Sequence, residues 1–140
     1  MTATIEIYDY TGPGYVPLLV RESWQVALLN WEPLFDLDKA GEIERHNQTD
    51  EVFVLWRGRA LIFTSDGERL HAVEMQPGVI YNVTAGAWHN LLASRDASWI
   101  IVENRDTHLG DTELRQMTPA EWSQLRSALP NWVKEKRNGN

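Results

Sequence analysis

The sequence contains no cysteine. Disulfide bonds, thiolate catalysis, and zinc or iron–sulfur sites held by cysteine are therefore excluded. Basic residues are also scarce, with 13 lysines and arginines against 20 aspartates and glutamates, and the formal net charge is -7. The only dense basic run, residues 134–137, is interrupted by Glu135. An acidic chain without a basic stripe is a poor candidate for binding nucleic acid or an anionic membrane.

Long apolar segments are missing as well. No apolar run approaches the ~18 residues that a membrane helix needs. The first ten residues lack the positive charge and the apolar centre of a signal peptide. We therefore expect no membrane partner and a cytoplasmic location. The length of 140 residues and the hydrophobic content of 43% predict a single globular domain, residues 1–140.

Short apolar runs separated by turn-forming residues are the main pattern of the chain. They predict nine β-strands, near residues 3–8, 24–30, 42–46, 51–56, 59–64, 69–74, 79–84, 89–94 and 98–103. Short strands at a spacing of ~8–12 residues are typical of an all-β sandwich or barrel.

One helix is predicted near the C-terminal end, over residues 118–130. Thr118 and Glu121 have the spacing of a capping box, in which each residue's side chain bonds to the other's backbone. Three apolar residues then recur at helical spacing: Trp122, Leu125 and Leu129. The stretch before the helix, residues 104–117, is predicted to be a polar connection.

Several predicted strands are apolar on both faces. Phe53 and Leu55 point to one side of strand 51–56, and Val52 points to the other. A barrel strand normally has one face in water, so the outer face must be covered by the N-terminal strands, the helix or a second subunit. Together with seven tryptophans, this pattern favours a homodimer, with Trp56 or the N-terminal strand near the contact.

Two histidines have unusual surroundings. Glu42, Glu44 and His46 alternate along one predicted strand and therefore share a face. Such a set suits a metal site or an acid/base pocket. Glu51 opens the next strand of the hairpin, where a further ligand could lie, and His89 begins a later strand.

These residues resemble the two motifs of the cupin superfamily. Residues 44–58 are similar to the first motif, G-x5-H-x-H-x3-4-E-x6-G, and residues 78–93 are similar to the second, G-x5-P-x-G-x2-H-x3-N. The resemblance covers roughly residues 40–103. It implies a cupin-type jelly roll, or double-stranded β-helix, with N-terminal strands within residues 1–35 and a closing C-terminal helix.

The ligand set implied by the resemblance departs from the usual three histidines and one glutamate. Carried over position by position, it comprises four residues: Glu44, His46, Glu51 and His89. Glu44 stands where a histidine is usual, and an alternative alignment of the loop makes Gln48 the second ligand instead. In the second motif, Thr84 and Ala93 replace the usual proline and asparagine.

A set of two imidazoles and two carboxylates suits Fe(II), Mn(II), Ni(II) or Zn(II). The two glutamates would balance the charge of a divalent ion. Without an ion, we expect Glu44 to raise the pKa of Glu51, so that one of the two carboxylates holds a proton. The set is therefore predicted either to bind a cation or to form an acid/base or hydrogen-bonding pocket.

The resemblance implies three functional hypotheses. The first is a metal-dependent cupin that acts on a small molecule, as an isomerase, a dioxygenase or a lyase. The second is a non-catalytic cupin that binds a small, sugar-like ligand, and the third is a dimeric structural or interaction protein with a vestigial pocket. No arginine or lysine is evident in the pocket, which favours a neutral, hydroxylated ligand. Four residues are candidates for the pocket wall: Gln48, Phe53, Tyr81 and Trp88.

Overall fold

The computed structural model describes residues 3–133, and the basic run at residues 134–137 lies outside them. Within that range the chain forms ten strands: β1 (Gly14–Val20), β2 (Trp24–Asn30), β3 (Glu42–Arg45), β4 (Glu51–Arg57), β5 (Ala60–Ser65), β6 (Leu70–Glu74), β7 (Ile80–Val83), β8 (Trp88–Ala93), β9 (Ser98–Asn104) and β10 (Glu113–Gln116). It also forms the helices α1 (Thr107–Gly110) and α2 (Pro119–Ser127), and residues 131–133 are helical as well. Two 3₁₀ turns lie at Pro33–Phe35 and Leu37–Lys39.

The strands form two five-stranded antiparallel sheets. The order is β1-β2-β9-β4-β7 in the first sheet and β10-β3-β8-β5-β6 in the second. Strands far apart in the sequence lie side by side, as β4 does with β9 and β5 with β8. The predicted all-β jelly roll is confirmed.

Apolar side chains from both sheets fill the space between them. Leu55 and Trp99 contribute from the first sheet, and Ile62 and Leu91 from the second. A second apolar cluster lies on the outer face of the second sheet, where Leu125 of α2 is buried against it. The C-terminal helix thus covers the apolar outer face of the second sheet.

The capping box at the start of α2 is present as predicted. The Thr118 hydroxyl accepts a hydrogen bond from the Glu121 N–H at 3.2 Å, and the Glu121 carboxylate accepts one from the Thr118 N–H at 2.9 Å. The helix ends at Ser127, before Pro130, which cannot continue a helix. No helix within residues 3–133 is long and apolar enough to cross a membrane.

Two predictions, for the N-terminal segment and for the connection before α2, are wrong. Residues 3–8 form no strand, and the first strand is β1 instead. Pro17 hid β1 from the sequence pattern, but β1 is an edge strand with an irregularity between Pro17 and Leu19, where a proline is tolerated. The predicted polar connection contains α1 and also β10, which pairs with β3 through polar and charged residues such as Glu113 and Arg45.

The outer face of the first sheet is apolar. Val52 and Val54 are half-buried there, and Trp56 and Ile80 are exposed. This face has the pattern that the homodimer prediction requires.

Candidate metal centre and cavity

Four side chains meet at one end of the space between the sheets. Glu44 lies on β3, and His46 follows that strand. Glu51 opens β4 in the other sheet, and His89 lies on β8 directly across from Glu44. One nitrogen or oxygen atom of each residue lies within 4.8 Å of those of the other three. The structure therefore brings together all four residues that the cupin resemblance implied.

The loop that carries His46 is held from two sides. Gly86 has a φ of 87°, a conformation that glycine adopts readily, and its N–H donates to the His46 carbonyl oxygen at 2.6 Å. On the other side, the Asp111 carboxylate accepts hydrogen bonds from the N–H groups of Asn47 and Gln48, each at 2.9 Å. The Gly86–His46 hydrogen bond thus joins the two motifs directly, and Asp111 holds the loop that follows His46.

Each imidazole uses its two nitrogens in the same way. Nδ1 of His46 lies 2.7 Å from the Asp111 carbonyl oxygen, and Nδ1 of His89 lies 2.9 Å from the Ala87 carbonyl oxygen. Nε2 of both rings lies 3.0 Å from Oε1 of Glu51. Carbonyl and ionised carboxylate oxygens only accept hydrogen bonds, so all four ring nitrogens must donate. With Glu51 ionised, this arrangement is satisfied when both imidazoles carry two protons.

The pKa values shift as these contacts require. Burial opposes charge on His46, but the hydrogen bond to Glu51 and its negative charge outweigh burial and raise the pKa of His46 to about 9. The pKa of His89 is raised against burial by the same partner. Burial also opposes charge on Glu51, but its hydrogen bonds to the two imidazoles lower its pKa to about 2. The expected raised pKa of Glu51 is not found, because the two histidines lower it. The pKa of Glu44 is raised instead, by burial and by the charge of Glu51.

Glu44 is the outermost member of the cluster. Its side chain is 40% exposed, and its Oε1 lies 3.9 Å from Nε2 of His46 and 3.7 Å from Nε2 of His89. These distances are too long for hydrogen bonds. Burial raises the pKa of Glu44 more than the nearby imidazoles lower it. Gln48, the alternative ligand, is exposed and lies outside the cavity described below.

The donor set fits a divalent cation. Two imidazolium ions and two carboxylates sum to zero charge, as do two neutral imidazoles, two carboxylates and one divalent ion. Exchange of two protons for one ion therefore leaves the charge of the cluster unchanged. The hydrogen bonds at Nδ1 keep the proton on that nitrogen. When Nε2 loses its own proton, its lone pair is therefore free to bind a metal ion.

A cavity of about 260 Å³ adjoins the cluster, and all four cluster residues line it. Phe53 is part of the wall, with its ring centre 5.9 Å from that of His89. Six charged side chains line the cavity besides the histidines: Glu32, Glu42, Glu44, Glu51, Glu103 and Lys39. The sequence inference that no lysine lies in the pocket is therefore wrong, although the wall remains predominantly acidic.

Two further wall candidates lie elsewhere. The Tyr81 hydroxyl accepts a hydrogen bond from the Gln76 N–H at 2.8 Å and packs beside the apolar core. Trp88 precedes His89 on its strand and so points to the opposite face of the sheet. There its ring lies 4.6 Å from the guanidinium of Arg45 and 4.8 Å from that of Arg115.

A second polar group in the cavity was not predicted from the sequence. Gln25 and Glu103 are both buried between the sheets, on the same strand faces as apolar residues such as Ala27 and Ile101. A polar residue at an inward position of a strand is a signal that the sequence carries. This signal could not be recognised, because strands that are apolar on both faces do not reveal which face points inward.

No model of a known protein family matches this chain, and no curated protein matches it. Solved structures do resemble it. A cupin-2 domain protein from Shewanella frigidimarina is 23% identical, with a TM-score of 0.53 over 69% of this chain and 85% of that protein. A double-stranded β-helix protein from Klebsiella pneumoniae is 15% identical, with a TM-score of 0.53 over 77% and 90% of the two chains. PAC13 from Streptomyces, solved with uridine, is 11% identical, with a TM-score of 0.55 over 83% and 96%. At these identities the likeness shows the fold.

Proposed function

We propose that this protein, whose fold is that of the cupins, holds a divalent metal ion beside a small-molecule cavity. Four residues would hold the ion: Glu44, His46, Glu51 and His89. The observation that carries the proposal is the common arrangement of the two imidazoles. Each ring is fixed at Nδ1 by a backbone carbonyl oxygen, and each directs Nε2 to the same carboxylate oxygen. A hydrogen bond from Nδ1 to a carbonyl oxygen is a common way of orienting a histidine that binds metal through Nε2.

The ligand types favour Fe(II), Mn(II), Ni(II) or Zn(II). When bound, such an ion polarises an oxygen of a ligand or of water. The chain's own residues fix the donor atoms and shape the cavity, with Phe53 as an apolar wall beside His89. Isomerase, dioxygenase and lyase chemistry all remain open to this arrangement, because a fold does not select a reaction.

The proposed substrate is a small, neutral, hydroxylated molecule. The wall disfavours phosphate and carboxylate groups, since its five glutamates outnumber its cations, which are Lys39 and the two imidazolium ions. The volume of about 260 Å³ lies at the lower end of small-molecule pockets. Both features support a ligand of a few carbon atoms rather than a nucleotide or a lipid.

A second candidate function is non-catalytic binding of a small, sugar-like ligand without metal. The observation that favours it is the hydrogen bonding of Glu51, whose Oε1 is already paired with both histidines. A cluster that is satisfied in this way can persist as a polar wall of a binding pocket.

Metal content decides between the two functions. We expect protein purified without a histidine tag to retain about one ion per chain, and added metal to raise the melting temperature of chelator-treated protein. His89→Ala should lose both effects, and Glu51→Gln provides a second test if that variant does not fold. The matched control is His71→Ala, which changes an exposed histidine on β6. A parent protein with no bound ion and no melting response would contradict the metal proposal and favour the second candidate.

We also propose that the protein is a homodimer, a state supported by the apolar outer face of the first sheet. Light scattering should give twice the chain mass for the parent, and Ile80→Glu at that face should give a monomer. A monomeric parent would contradict this proposal. A dimer that binds neither metal nor small molecules would instead indicate an interaction protein with a vestigial pocket. The cytoplasmic location remains a prediction from the sequence.

A further inference from the structure

A second polar group lies in the cavity, on the inner face of the first sheet. Gln25 of β2 pairs with Glu103 of β9. β9 also pairs with β4, and Val102 lies opposite Val52 there. Because the two strands are antiparallel, Glu103 lies beside Glu51. Opposite side chains on neighbouring strands have Cβ atoms about 5 Å apart. Glu103 is therefore beside the candidate metal centre without belonging to it.

One oxygen of Glu103 is held firmly. The Tyr15 hydroxyl donates a hydrogen bond to Oε1 of Glu103. The Gln25 side-chain amide in turn donates to the Tyr15 hydroxyl at 2.8 Å. Gln25 is itself fixed, because its Oε1 accepts from the Asp106 N–H at 3.0 Å. This chain of hydrogen bonds sets the orientation of the Glu103 carboxylate.

The other oxygen of Glu103 has no such partner. Oε2 is buried, and no group among residues 3–133 donates a hydrogen bond to it. Glu103 as a whole is only 5% exposed. A buried acceptor without a donor costs a protein stability, and such exceptions concentrate at functional sites. Burial, with the charge of Glu51 adding to it, raises the pKa of Glu103 to about 7, although the Tyr15 hydrogen bond and the nearby His46 act in the opposite direction.

We propose that Glu103 binds a hydrogen-bond donor of the ligand, either a hydroxyl or an ammonium group, and thereby selects ligands that are not anions. Tyr15 and Gln25 position the carboxylate, which leaves Oε2 for the ligand. The acidic cavity wall acts in the same direction, since it repels anions. The proposal rests on the proposed function only in taking this cavity as the ligand site.

Three five-carbon probes test the selection: pentane-1,5-diol, 5-aminopentan-1-ol and 5-hydroxypentanoate. They share one hydroxyl and differ in the charge of the other end. Their dissociation constants are measured by ligand-detected NMR with the parent, first in chelator and then with Zn(II). Glu103→Gln removes the carboxylate while keeping its size, and Tyr15→Phe removes the donor that orients it. The matched control is Glu22→Gln, which neutralises an exposed glutamate outside the cavity.

We expect the parent to bind the diol or the amino alcohol at least about tenfold more tightly than the hydroxy acid. Glu103→Gln should weaken that binding at least about tenfold, and Tyr15→Phe should weaken it roughly threefold, while Glu22→Gln changes it by less than about threefold. A stronger effect on the amino alcohol than on the diol would identify ammonium as the donor, and the reverse would identify hydroxyl.

Three results would overturn the proposal: equal binding of all three probes, no binding of any probe at 100 mM (an order-of-magnitude ceiling for weak ligands), or parent-like binding by a folded Glu103→Gln. Metal affinity of the same variants separates this proposal from the preceding one. Glu103→Gln should keep the parent's Zn(II) affinity. Failure of the parent to bind Zn(II) would refute the metal proposal while leaving the measurements in chelator valid.

Discussion

Two buried glutamates of this protein, Glu121 and Glu51, are held by different kinds of cation. Glu121 accepts hydrogen bonds from both terminal nitrogens of Arg115, at 2.7 and 2.8 Å, and from the Ser65 hydroxyl. Glu51 accepts from two imidazoles. The pKa of Glu121 is lowered to about 2, chiefly by the Arg115 hydrogen bonds, and that of Glu51 is lowered to about 2 by the imidazoles against burial.

The partners, rather than the pKa values, distinguish the two glutamates. A guanidinium ion does not lose its proton in proteins, so the pair of Glu121 and Arg115 is permanent. It joins α2 to both β10 and β5 and has only a structural role. An imidazolium ion can lose its proton near neutral pH, so a metal ion can take the place of the protons beside Glu51. A depressed pKa alone therefore does not separate a functional carboxylate from a structural one, and here the partners of the two glutamates differ.

The largest expected effect on stability is at Glu121. Glu121→Ala removes the ion pair, half of the capping box and the partner of Ser65, and should lower the free energy of unfolding by about 2–4 kcal/mol. Urea denaturation measures this loss, and metal affinity should stay unchanged. Glu22→Gln, at an exposed position, serves as the control. A loss below about 0.5 kcal/mol would show that this cluster is not the structural one.

Glu51→Gln should have the largest effect on metal binding. Loss of the central carboxylate should weaken binding by more than about a hundredfold, beyond the usual cost of disturbing a group behind a metal ligand. Competition with a chelator of known affinity measures it, and Glu32→Gln is the control. Parent-like metal affinity in Glu51→Gln would remove Glu51 from the site and weaken the contrast with Glu121.

The pH dependence of the metal-free protein tests whether the partners of Glu51 are exchangeable. The pKa of His46 is raised from 6.5 to about 9, so its stabilising contribution is complete below pH 6.5 and is lost as pH rises through 9. The melting temperature in chelator should therefore fall across this window, and it should fall less in Glu51→Gln. The pair of Glu121 and Arg115 contributes no such change, because its pKa shifts lie outside the window.

Metal binding should release protons from the two histidines. At pH 7, one ion should displace about two protons, because both rings are imidazolium in the metal-free arrangement. Calorimetry in buffers of different ionisation enthalpy measures the number released. Release of no protons at pH 7 would show that the histidines are already neutral without metal.

Much of the fold could be predicted because the central strands carry strong local signals. The strand at residues 24–30 has the predicted bounds, and the helix begins where Thr118 and Glu121 form their capping box. β1 and β10 could not be predicted in the same way. β10 pairs with β3, which lies far away in the sequence, and this pairing overrides a polar composition. β1 forms a hairpin with the adjacent β2, but Pro17 is unfavourable in a strand and is tolerated here because β1 is an edge strand.

The candidate metal centre could be predicted as a set of residues, but its electrostatics could not. Motif spacing was enough to bring Glu44, His46, Glu51 and His89 together. The raised pKa values of the imidazoles depend first on their contacts with Glu51 and then on the Asp111 and Ala87 carbonyl oxygens, and motif spacing specifies none of these distances. The polar group around Glu103 was missed for a related reason, since its partners come from three separate strands or loops.

The smallest expected effect is at Glu44, which is more exposed than Glu51 and forms no hydrogen bond to the histidines. Glu44→Gln should change the melting temperature in chelator by less than about 2 °C and weaken metal binding roughly tenfold. Glu44→His restores three imidazoles, which are softer ligands than carboxylate. It should bind Ni(II) or Zn(II) more tightly than the parent and gain less stability from Mn(II). Melting curves of the parent and both variants, in chelator and with each metal, measure these differences. An unchanged metal response in Glu44→Gln would place Glu44 outside the site and leave Glu51 as its only carboxylate.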